Sequence, residues 1–191
     1  MESSWWDRLR RHVRPTVDSA IGDLMAEDEY RRERAAIWVW SRGREHFSAD
    51  ERARLIEALA PLATDDTPPI ARADAVSALV ALEADGAAEL ALTALRDPRT
   101  EVRHIVASQL APTGDRRVVD ALVELLDDAD GYVREAATIG LQSQGDAVAL
   151  GPLRGMLRRE RSDRAAEAGA KRAIRALEKA ANRSDDVPKM H

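Results

Sequence analysis

The stretch EVRHIVASQLAPTGDRRVVDALVELLDD, residues 101–128, decides the fold because GYVREAATIGLQSQGDAVALGPLRGML, residues 131–157, repeats it. At a shift of 31 residues Arg103 falls on Arg134, Leu110 on Leu141, Gly114-Asp115 on Gly145-Asp146 and Leu126 on Leu157. The same shift backwards brings in Arg72, Leu79, Leu95 and Asp97, the last matching Asp128. Apolar residues recur at spacings of three and four, as in Val118, Val119, Leu122, Leu125 and Leu126, so each unit is helical. Punctuation splits the unit in two. Asp97-Pro98 sets a capping carboxylate and a helix-starting proline ahead of a helix A that runs to about Ala111. Thr67-Pro68 opens the unit before it in the same way. Gly114 permits a left-handed turn, and Asp115 then caps helix B, Arg116 to Leu126. Gly145-Asp146 repeats that turn, and Pro152 falls early in the next helix B, where proline is tolerated.

One such helix pair cannot bury its apolar faces alone; stacking on its neighbours does so and yields a solenoid. A period near 31, with Val-Arg opening helix A and Gly-Asp between the helices, resembles the short HEAT-like repeats of the phycobilin-lyase type over about residues 66–178. The resemblance implies an all-α, right-handed α-α superhelical solenoid of HEAT-like helical hairpins. It also implies that the helix-A arginines Arg72, Arg103 and Arg134 are structural, bonding nearby carboxylates or carbonyls, and that the B helices line the concave face. Three repeats are expected over residues 66–159, after divergent N-terminal helices and a degenerate repeat over 1–65. A capping helix is expected over 160–181 and a disordered tail over 182–191. In the N-terminal part, Glu29 to Trp40 and Ala49 to Ala63 form a more aromatic helix pair.

Composition narrows the function classes. The 191 residues carry a net charge of -5, with 45% hydrophobic and 33% charged side chains, as a folding chain should. The longest run without a charged residue, His104–Gly114, is 11 residues, too short for a membrane span. The N-terminus lacks the apolar core of a secretory signal, so the expected location is the cytoplasm. With no cysteine, disulfides, thiolate metal sites and cysteine nucleophiles are excluded. Charge is uneven: residues 48–146 carry a net -10 and residues 147–191 a net +5. Such a gradient orients a partner.

No catalytic constellation emerges. His12, His46, His104 and His191 are not spaced as a ligand pair on one helix, so no metal or other cofactor is expected. HEAT-like di-iron hydroxylases use repeated His-Glu dipeptides, and the sequence has only the reversed Glu45-His46. Residues 140–145, GLQSQG, have phosphate-loop spacing, but Asp146 stands where lysine is needed. The carboxylates include no pair marked by an apolar setting for acid–base work. HEAT-like DNA glycosylases use Trp and Asp on a basic concave surface; Trp38, Trp40 and Asp50 suggest this, but the acidic middle argues against a nucleic-acid partner.

What remains is a binding surface. If helix B buries Val118, Leu122, Leu125 and Leu126, its opposite stripe is Arg117, Asp120, Glu124 and Asp127. The 31-residue shift extends the stripe to Gly86, Glu89, Thr93 and Arg96 on one side. On the other it reaches Val148, Gly151, Gly155 and Arg158, a small-residue groove flanked by Arg154 and Arg159. Two helical glycines four apart imply a close approach, by a neighbouring helix or by a partner. Trp5 and Trp6 either close the solenoid's apolar edge or anchor a partner, since tryptophan is enriched at binding hot spots. The expected function is a non-catalytic adaptor binding another protein along the concave helix-B face, with neither nucleic acid nor membrane as partner. The competing reading is an enzyme on the same solenoid, bilin lyase-like or alkylpurine DNA glycosylase-like.

Overall fold

The computed structural model describes residues 15–64, 66–159 and 164–185. Among them are ten α-helices and no strand: α1 Val17–Leu24, α2 Glu29–Arg42, α3 Ala49–Leu59, α4 Pro69–Ala81, α5 Ala87–Leu95, α6 Thr100–Gln109, α7 Arg116–Glu124, α8 Gly131–Gln144, α9 Leu150–Arg159 and α10 Arg164–Asp185. The helices α2, α4, α6, α8 and α10 stack in chain order as one layer; α5, α7 and α9 succeed one another in the second, and α1 packs on α2 and α3. This is a helical solenoid. Its core is one continuous cluster from Ala20 to Leu177, built from small and branched residues of every helix. Trp5 and Trp6 lie outside the described residues.

Two turns repeat with the sequence. Gly114 and Gly145 take left-handed φ values of 67° and 72°, and Glu83, at the same repeat position, is also left-handed at 53°. Asp115 and Asp146 each cap the helical turn on their C-terminal side, accepting from the N–H groups of Arg117 and Val148 at 2.9 Å. Other boundaries differ from the sequence reading. Helix α6 begins at Thr100, not at Pro98, because Asp97 turns its carboxylate onto the N–H and guanidinium of Arg99 and extends the linker. Helix α7 tightens into a 3-10 turn, Leu125–Asp127, before its predicted end. Helix α10 continues through Asp185, so the tail expected from residue 182 is still helical there; no glycine or proline interrupts 182–185.

The repeat arginines clamp the turns between units. Arg103 donates to both oxygens of Asp128 at 2.8 and 3.1 Å, while its Nη1 donates to the carbonyls of Asp97 and Pro98 at 2.8 and 3.1 Å. One side chain thereby ties the turn before its unit to the turn after it. Arg134 reaches the carbonyls of Asp128 and Ala129 in the same way. Arg72 and Asp97 form a deeply buried ion pair at 2.9 Å, with side chains 6% and 3% exposed. The hydrogen bonds from Arg99, above all, hold the Asp97 carboxyl below its usual range. Across units, Gln144 accepts from Thr113 and donates to the carbonyl of Ala111, locking α8 to the preceding turn.

Candidate protein-binding face

The stripe predicted on the B helices is exposed where two adjacent units meet. Helix α7 buries Val118 and Leu122, with Leu125 and Leu126 buried just beyond it, and the stripe Arg117, Asp120, Glu124 and Asp127 is exposed. On the neighbouring unit, Glu89 and Thr93 of α5 face the same cleft, with Arg96 just beyond the helix. Between the two helices lies an open cleft of about 690 Å³, lined by Glu89, Leu92, Thr93, Arg96, Arg117 and Asp120. Two ion pairs cross it with opposite polarity. Arg117 on α7 reaches Glu89 on α5 at 2.7 Å, and Arg96 reaches Glu124 on α7 at 3.3 Å. Arg117 also holds Asp115 at 2.7 Å, and Arg116 holds Asp120 at 2.8 Å. The hydrogen bonds from Asp115 and Glu89 push the Arg117 guanidinium up from its ordinary value. All four cross-cleft side chains are more than half exposed, where an ion pair contributes about 0–1 kcal/mol. A partner can therefore exchange with them at little cost.

The third unit departs from the stripe. Val148 sits in a 3-10 turn, Ala147–Ala149, that precedes α9. Ala149, Leu153 and Met156 are buried at the repeat positions of Val118, Leu122 and Leu125, so the helical phase is kept and Gly151, Arg154 and Arg158 are exposed, but Gly155 is buried and does not belong to the open surface. Nothing lies within 4 Å of where a Gly151 Cβ would stand, so no neighbouring helix accounts for that glycine. The close approaches occur instead in the other layer. A Cβ on Gly140 would meet the carbonyl oxygen of Ala107 at 2.6 Å, and one on Gly169 would run into the Thr138 hydroxyl.

One buried carboxylate escaped the sequence reading. Asp74 on α4 is 2% exposed, and burial pushes its pKa up to about 6 although Gln109 donates to it at 3.1 Å. Glu33 on α2 adds a like charge and is itself raised by burial and by Glu29. The signal missed is the register, which turns Asp74 into the layer between α2 and α6. Trp40 donates its indole N–H to the Gln109 carbonyl at 2.6 Å, and Trp38 lies beneath the Arg42 guanidinium at 4.3 Å. Asp74 is sealed from solvent, 35 residues in sequence from the Gln109 amide that donates to it. Asp50 is exposed on the first turn of α3. No group of three or more metal-ligating side chains occurs among the described residues, and no described helix is long and apolar enough to cross a membrane.

The fold and this face define a repeat protein of the α-solenoid class. Residues 87–171, from α5 into α10, match the family model of HEAT repeats. Among solved structures, the complex of CpcE and CpcF of phycocyanin lyase from Nostoc sp. PCC7120 is similar over 94% of this chain and 69% of that one, at 23% identity and a TM-score of 0.61. An engineered protein is similar over 86% of this chain and 80% of its own, at 18% identity and a TM-score of 0.56. No curated protein matches the chain.

Proposed function

We propose that the protein is a non-catalytic adaptor that binds a segment of another protein along the α5–α7 face. The observation that carries this reading is the cleft between two consecutive B helices, open to solvent and spanned by exposed, oppositely directed ion pairs. Alternating signs fix the register and direction of a bound segment, and Leu92 on the cleft wall offers it apolar contact. The similar lyase structure is itself a complex of two proteins, which supports association as the use of such a solenoid. Gly151, open and unpacked, extends the face with a place for close backbone approach.

The test is affinity capture from lysate with wild type beside a variant reversing Asp120, Glu124 and Asp127. A protein retained by wild type and lost by an equally helical variant supports the adaptor; retention by both sinks the face. A second reading, a bilin lyase-like enzyme, is favoured by the likeness to the phycocyanin lyase complex. It requires visible absorbance in the captured material, which the adaptor reading does not.

A further inference from the structure

Helix α10 presents a second surface of different chemistry. It buries Ala166, Ala170, Ala173 and Leu177, and on the opposite side exposes Arg164, Ala168, Lys171, Arg175 and Lys179. These fall at successive spacings of four, three, four and four, a single row along the helix of roughly 22 Å. Arg172 flanks the row and is exposed as well. The two glutamates of α10 stand to one side and are engaged, Glu167 with Lys171 and Glu178 with Arg154 on α9 at 2.6 Å. Among the described residues Arg175 and Lys179 have no acidic partner.

A polar outer face is what the end of a solenoid needs for solubility, but that need is met by charges of mixed sign. Here Lys171, Arg175 and Lys179 succeed one another at i, i+4 and i+8. Like charges at that spacing destabilise a helix. Where interior helices of the layer meet, the close contact is between small uncharged groups, Gly140 on α8 against the Ala107 carbonyl on α6. We infer that the exposed row on α10 is a docking site for an acidic protein segment, distinct from the α5–α7 face.

Protein is favoured over nucleic acid on two counts. The row is one helix wide and carries no aromatic side chain on which bases could stack. Ala165 and Ala168 leave an apolar floor between the cations, suited to side chains.

The test uses the full chain and a fluorescein-labelled 20-residue peptide of repeating Glu-Ala-Ala-Glu-Leu units, with oligodeoxythymidine of the same length as the competing polyanion. The peptide should bind, and added salt should weaken the binding. Arg175→Glu should reduce its affinity by about tenfold while converting two repulsive i, i+4 pairs into attractive ones, so that the melting temperature does not fall. Asp120→Lys with Glu124→Lys should leave peptide binding no weaker, which separates this site from the α5–α7 face. No binding, an unaltered affinity in Arg175→Glu, or preference for the oligonucleotide would overturn the proposal.

Discussion

Glu83 occupies a backbone position that the repeat otherwise gives to glycine. Gly114 and Gly145, 31 and 62 residues further on, take the same left-handed conformation without a Cβ. A non-glycine residue there is strained by roughly 1 kcal/mol, and the exposed pair of Glu83 with Arg44 returns only part of that. Glu83→Gly should therefore raise stability by about 0.5–1 kcal/mol in a urea titration. A loss would show that the Arg44 contact outweighs the strain. The position is legible in the sequence only as a missing glycine, because spacing reveals where a turn must be but not that a glutamate will adopt it. Asp74 makes the converse point. Its neighbours in space, Gln109 and Glu33, are far away in sequence, so the burial that raises its pKa to about 6 has no local signature. A carboxyl raised on folding favours the native state most at acid pH, and that contribution is lost as pH rises from about 4 through about 6. Asp74→Asn should match wild type in stability near pH 4 and exceed it at pH 8 by on the order of 2 kcal/mol. Parallel pH profiles of the two proteins would show that Asp74 titrates normally.

At the scale of elements, the helix pairs are legible because apolar periodicity and turn residues agree, and agreement between levels is what makes a sequence specify a fold. The ends are less so. Sequence places Asp97 as a direct cap of helix A, yet its carboxylate is shared between Arg99 and the buried Arg72, contacts that arise only once units stack. The glycines inside helices show the same dependence on packing. Gly140 and Gly151 look alike in sequence, but only the first meets a backbone oxygen where its Cβ would be. Gly140→Ala should destabilise by about 1–2 kcal/mol through overpacking, despite alanine's better helix propensity. Gly151→Ala should instead be neutral or stabilising by up to about 1 kcal/mol. Thermal melts of the two variants check both signs, and equal effects would contradict the packing described. Should Gly151→Ala also weaken partner capture, the glycine belongs to the binding face.

Across the whole molecule, the stack arranges charge along its length. The acidic middle contains the α5–α7 cleft, where Arg96, Arg116 and Arg117 each have a carboxylate partner, and the basic end is the row on α10. The stripe on the first two B helices is legible because α5 and α7 keep the repeat's phase. Its third part is not, since Gly155 is buried although Gly151 and Arg158 on either side of it keep the exposed phase. Carboxylate footprinting of the chain with and without its captured partner tests the central claim most directly. The account predicts that labelling of Glu89, Asp120 and Glu124 falls on binding while that of Asp50 and Glu57 does not change. Unchanged labelling at all three cleft carboxylates, with protection elsewhere, would contradict it.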